Sequence, residues 1–192
     1  NGVTFVKQNT GKLTVNGSFV TDTLRVEGGS LALNGEGNSF NHVELAGAEE
    51  GGVLDINRNT VMGDLTDSGE GAALNIGSGA SLSVNGASSL SSSTIQGSGT
   101  LTLRDTLEIS GTASLQGGVL LDLAKDDDST GTLDLGSTSG STVSGIGGEG
   151  TLKSAGGVLT VNTGNSGGGS VFSGTLEGRG QLNISGNAGQ TF

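Results

Sequence analysis

Leu, Val and Ile recur at every second position in runs of three to five residues. Nowhere do they form an i, i+3, i+4, i+7 stripe of helical length. The pattern is clearest in Gly11-Lys-Leu-Thr-Val-Asn-Gly17 and Gly29-Ser-Leu-Ala-Leu-Asn-Gly35. It returns in Gly52-Val-Leu-Asp-Ile-Asn57, Ala73-Leu-Asn-Ile76 and Ala80-Ser-Leu-Ser-Val-Asn-Gly86. Later copies begin at Gly99, Gly131, Gly157 and Gly180. Each reads as a short strand with one buried face. Leu24-Arg-Val26, Val43-Glu-Leu45, Leu107-Glu-Ile109 and Val119–Leu123 supply further strands between the copies. Ser88–Ser93 reads as a loose loop.

A strand this short cannot bury its face alone, so the copies must pack on one another. The first three begin at 11, 29 and 52, steps of 18 and 23; the last three begin at 131, 157 and 180, steps of 26 and 23. A period of ~20–25 residues with two or three strands in each unit predicts an all-β fold, a right-handed single-stranded parallel β-helix. Residues 1–192 then form one continuous segment of eight or nine coils, a rod of roughly 40 Å at ~4.8 Å per coil. Asn-Gly follows the same strand motif at 16–17, 34–35 and 85–86, which favours stacked turns over the hairpins of an antiparallel sandwich.

In that fold Leu13, Leu31, Leu54, Leu74, Leu82, Leu101, Leu133, Leu159 and Leu182 face inward. Asn16, Asn34, Asn57, Asn85 and Asn162 follow the inward pair in their copies. They are expected at coil corners, tolerating left-handed backbone and bonding coil to coil as a structural ladder.

Composition fits this picture. Glycine makes up 39 of 192 residues, roughly three times the ~7% of an ordinary domain. Proline, which breaks sheet ladders, is absent. So is cysteine, which excludes disulfides, thiolate chemistry and Cys-ligated metal. The net charge of −11 disfavours nucleic acid and anionic membranes as partners. No apolar run approaches the ~20 residues of a membrane span, so no membrane insertion by this segment is expected.

Candidate chemistry is sparse. His42 is the sole histidine and reads as an exposed polar residue, so no multi-His metal site or Ser-His-Asp centre is expected. The Gly/Ser run around Ser166 and Gly145-Ile-Gly-Gly-Glu-Gly150 read as glycine-rich turns without the strand–helix context of a nucleophile elbow or dinucleotide site. Asp126-Asp-Asp-Ser-Thr-Gly131 resembles the start of a calcium loop, with Asp126 and Asp128 as weak candidate ligands. Ser137, however, stands where such a loop places its bidentate Glu. Neither catalytic residues nor a cofactor are expected. A polysaccharide-acting enzyme on the same solenoid is the remote alternative, weakened by only eight dispersed Lys and Arg and by the absence of Trp and Tyr.

Gly148-Glu-Gly-Thr-Leu-Lys-Ser-Ala-Gly-Gly-Val-Leu-Thr-Val161 resembles the passenger-associated transport repeat of Gram-negative autotransporters. Phe172-Ser-Gly-Thr-Leu-Glu-Gly-Arg-Gly-Gln-Leu182 is similar to part of that repeat, and Ile95–Leu103 is a weaker copy. These segments cover about a quarter of the chain. Residues 156–157 are Gly-Gly where the repeat has Gly-x-Gly. The resemblance implies a β-helical passenger fragment displayed at the bacterial surface or secreted, carried across the outer membrane by a C-terminal barrel. It would act as a non-enzymatic scaffold that engages a host or bacterial surface ligand, or another copy of itself. The alternative within the structural class is a repeat of an extracellular filament.

Overall fold

The computed structural model describes residues 2–47, 51–137, 140–165 and 170–192. They form a β-solenoid of about nine turns, with every pairing between named strands parallel. Each turn visits three faces. Strands Thr94–Gly97, Thr100–Leu103 and Thr106–Ile109 make one complete turn, and each lies over its counterpart in the coils before and after. In the early coils, Val20–Val26, Asn38–Ala46 and Thr60–Ser68 bend around a corner and serve the second and third faces together. After Thr60–Ser68 these faces separate, because Ser81–Val84 pairs with its start and Ser88–Leu90 with its end.

On the first face the inward column runs Leu13, Leu31, Leu54, Leu74, Ile95, Leu115, with steps of 18, 23, 20, 21 and 20 residues between those positions. The repeat is therefore one coil, as the spacing predicts, but the Gly-x-Leu-x-Leu motif does not mark one face. Leu82 and Leu101 stack on the second face, and Leu133 stacks on the third with Leu107 and Leu152. The step of 26 from Gly131 to Gly157 consequently compares different faces. Alternation reports that a strand has an inner side and is silent about which side of the solenoid it forms.

The filling is a thin aliphatic column. Leu31, Leu54, Leu74, Leu82, Leu101, Leu133 and Leu159 are all buried, whereas Leu13 in the first coil remains 36% exposed and Leu182 near the last is half-buried. Each buried side chain contributes ~1.5–3 kcal/mol relative to exposure. Phe5, Phe19 and Phe40 continue the column at the N-terminal end, ring edge on ring face at 5.0 and 5.5 Å. Lys7 occupies the column position of Val26 and is only 8% exposed. Its ammonium donates to the carbonyls of Gln8, Asn9 and Gly28, each at 2.9 Å, and so satisfies the interior of the first corner.

The corners explain the glycine. In Gly97-Ser98-Gly99 the N–H groups of Ser98 and Gly99 both donate to the Ile76 carbonyl, each at 3.0 Å. Glu149 and Gly150 share the Leu123 carbonyl in the same way, and Arg179 and Gly180 share that of Ser154. Gly97 has φ +126°, and a Cβ there would run into the Ile76 oxygen. Three Gly-x-Gly segments thus build one kind of corner, in which the middle residue swings outward and the flanking residues hug the previous coil.

Ser88–Ser93 is not a loose loop. Ser88–Leu90 is a strand, and Ser88 is buried. Its hydroxyl accepts from the Leu65 N–H at 2.9 Å, standing in for a ladder carbonyl, and donates to the Gly86 carbonyl. Ser91, Ser92 and Ser93 then direct their backbone N–H groups at the carboxylate of Asp67, at 2.8–3.1 Å. The turn is fixed by a partner about 25 residues earlier, which local composition cannot reveal.

Candidate functional site

The outward side chains stack in the same register as the core, so each face carries columns of side chains one strand spacing, ~4.8 Å, apart. On the first face the column is Thr14, Ala32, Asp55, Asn75, Gln96, Gln116. The Asn75 amide donates to Asp55 at 2.7 Å, and the Gln96 amide donates to Asn75 Oδ1 at 2.8 Å. Gln116 turns back to the Ser114 hydroxyl at 3.0 Å. Beside this column runs a second, in which Asn34 donates to Asn16 at 3.2 Å and Asn57 donates to Asn34 at 2.9 Å.

Of the five asparagines expected to form a ladder, Asn16, Asn34 and Asn57 are joined. Asn85 lies on the second face, where its side chain accepts from the Ser83 hydroxyl at 2.9 Å. Asn162 ends a first-face strand and accepts from the Gly164 N–H in its own turn. The left-handed backbone expected at these corners is also corrected: Asn9 is the sole non-glycine residue with positive φ among the described residues. Asparagine serves here through its amide, and glycine takes the left-handed positions.

Beyond Asn57, where the second column ends, lies a shallow groove of about 540 Å³. Asn57, Asn75, Gln96 and Gln116 line it together with Gly77, Gly97 and Gly117. A second depression lined by Asn34, Asn57, Arg58, Gly77 and Ser78 continues it toward the N-terminal coils. None of the residues that line the main groove is ionisable, although Asp55, bonded to Asn75, and Arg58 stand just beyond its N-terminal end. Sequence reasoning singles out Asn57 and misses the other amides. The available signal is that Asn75, Gln96 and Gln116 each follow an inward Leu or Ile at the same coil position.

The remaining chemistry is dispersed over other faces. His42 is half-buried rather than freely exposed, and its Nδ1 lies 2.9 Å from Asp64 Oδ2 in the neighbouring coil. The third-face column Arg25, Glu44, Thr66 includes an Arg25–Glu44 contact at 3.5 Å; further along, Lys153 pairs with Asp134 at 2.8 Å. Asp126 sits in a small excursion closed by an antiparallel bridge between Lys125 and Thr130. The Ser129 hydroxyl and the Arg104 guanidinium, the latter at 2.7 Å, hold the Asp126 carboxyl below its ordinary value. The exposed Asp128 lies on the same excursion. No cluster of three or more His, Asp or Glu side chains suited to a metal occurs among the described residues. The glycine-rich run at 166–169 lies outside the described residues.

Among the described residues no helix is long and apolar enough to cross a membrane. Comparisons with protein-family models, with curated proteins and with solved structures return no match, so the β-solenoid itself is the level at which the chain is classified.

Proposed function

We propose that the chain is a non-enzymatic, surface-displayed scaffold in the manner of an autotransporter passenger, which holds columns of polar side chains away from the cell for contact with a surface ligand or another copy. The observation that carries this reading is the coincidence of three Gly-x-Gly segments with one corner geometry. Gly97-Ser-Gly99, Gly148-Glu-Gly150 and Gly178-Arg-Gly180 are the segments that resemble the transport repeat, and each suspends two N–H groups from one carbonyl of the coil before. A secretion substrate benefits from such a fold because successive coils form with short-range connections and without disulfides.

The test is to express the full open reading frame in a Gram-negative host and treat intact cells with an added protease. Release of this segment from the cell surface supports the reading. Retention behind the outer membrane removes it.

A second reading is a structural repeat of an extracellular filament, whose coils would pair edge to edge between copies. Light scattering that grows with concentration supports the filament; a persistent monomer argues against it.

A further inference from the structure

We infer that the amide-lined groove on the first face binds a neutral, hydroxyl-rich glycan chain lying along the solenoid axis. The inference stands apart from surface display, because it rests only on the chemistry and spacing of this groove.

The lining amides have bonding capacity to spare. Asn75 uses one amide hydrogen on Asp55 and receives one bond from Gln96. Its second hydrogen and remaining lone pair stay open. Among the described residues, Gln96 Oε1 and Gln116 Oε1 accept no hydrogen bond. The groove therefore offers donors and acceptors in alternation, which suits hydroxyl groups that both give and accept. Internal bonds along the column also hold the amides in place before a ligand arrives, so little ordering entropy remains to be lost on binding.

Charge and shape narrow the occupant. The chain carries a net charge of −11, yet no ionisable side chain lines the main groove. A polyanion would meet the repulsion of the whole molecule, and a polycation would find no carboxylate in that lining. Gly77, Gly97 and Gly117 have no side chains to fill the groove, so a slender chain can lie in it beside the amides.

Spacing separates glycan from peptide. Asn75, Gln96 and Gln116 stand in direct register on consecutive strands, so the binding groups repeat every ~4.8 Å. An extended peptide presents the same side only every roughly 6.6 Å and falls out of step after one rung. A pyranose unit in an extended glycan advances by about one rung and carries hydroxyls on both edges, so a hydroxyl meets each rung even where successive units are turned over. With no Trp or Tyr in the chain, stacking contributes nothing, and affinity must accumulate over several rungs.

The experiment is calorimetric titration of the intact chain with cello-, malto- and chito-oligosaccharides, each from disaccharide to hexasaccharide. Polygalacturonate and a Gly/Ser/Asn-rich extended peptide serve as competing probes. The expected result is saturable binding of at least one neutral series, with affinity rising up to the tetrasaccharide. Gln96→Ala should weaken that binding about tenfold, and Gln116→Ala should do the same. Glu108→Gln, on the third face, should leave it unchanged, and circular dichroism should report the same fold for all three. The inference is overturned if no neutral series binds at millimolar concentration. It is equally overturned if binding survives both glutamine substitutions, or if the peptide or polygalacturonate binds more tightly.

Discussion

Asn57 donates from its side-chain amide to the Oδ1 of Asn34 across 2.9 Å, and the two residues are separated by one full coil. Asn34 in turn donates to Asn16, so a single amide is the middle rung of two bonds. Asn34→Ala is expected to remove both, at a cost of about 1 kcal/mol because the column is solvent-exposed. Asn85→Ala, which loses only the bond from Ser83, is expected to cost less than half of that. Urea unfolding of the two variants checks the order, and equal losses would contradict it.

Asp67 makes part of the stability pH-dependent. Burial pushes its carboxyl pKa upward, but the backbone N–H groups of Ser92, Ser91 and Ser93 outweigh that and hold it below the ordinary value of 3.8. The folded-state value is thus depressed relative to the unfolded chain. The contribution is therefore present above about pH 4 and is lost as the pH falls through the folded value. Asp67→Asn replaces one acceptor oxygen by a donor that faces the same N–H groups. It should cost about 1–2 kcal/mol at neutral pH, discounted for the carboxylate's partial exposure, and should flatten the acid limb of the stability profile. Chemical denaturation at a series of pH values measures both effects.

Lys7→Met keeps most of the aliphatic stem but removes the ammonium, leaving the carbonyls of Gln8, Asn9 and Gly28 without that donor. A solenoid coil touches only its neighbours, so the damage should stay local. Amide hydrogen exchange is expected to accelerate in Thr4–Lys7 and Val20–Val26 and to remain unchanged in Thr100–Leu103. Uniform acceleration would show that the first coil supports the whole rod.

Gly97→Ala places a methyl group against the Ile76 carbonyl in a left-handed backbone, and a loss of about 2–3 kcal/mol is expected. At Gly11 a methyl group would meet nothing within 4 Å, and the backbone there has no positive φ. Gly11→Ala should be neutral or stabilising by up to about 1 kcal/mol, through the unfolded chain. Thermal unfolding distinguishes the two glycines.

Much of this architecture is readable from alternation alone, because a strand with a buried side needs only its own residues to declare itself. Leu31, Leu54 and Leu74 fall inward, and on one column, by that logic. Leu82, Leu101 and Leu133 are equally legible as buried yet illegible as to face, since the face depends on how many residues the preceding corner consumes. Lys7 and Ser88 escape for a different reason: a charged or hydroxyl side chain reads as solvated until its partners, 21 and 23 residues distant, are known. The amide column of Asn75, Gln96 and Gln116 needs the coil register before its members can be recognised as neighbours.

The three Gly-x-Gly corners, like the shared carbonyls of Ser91 and Gly136, all point the same way: the later coil donates and the earlier coil accepts. Winding at these corners therefore has a direction. A finished coil already displays the oxygen on which its successor will hang, while nothing at that corner waits upon residues still to come. New turns can be appended toward the C-terminus, during synthesis or over evolutionary time, without rewriting those already in place.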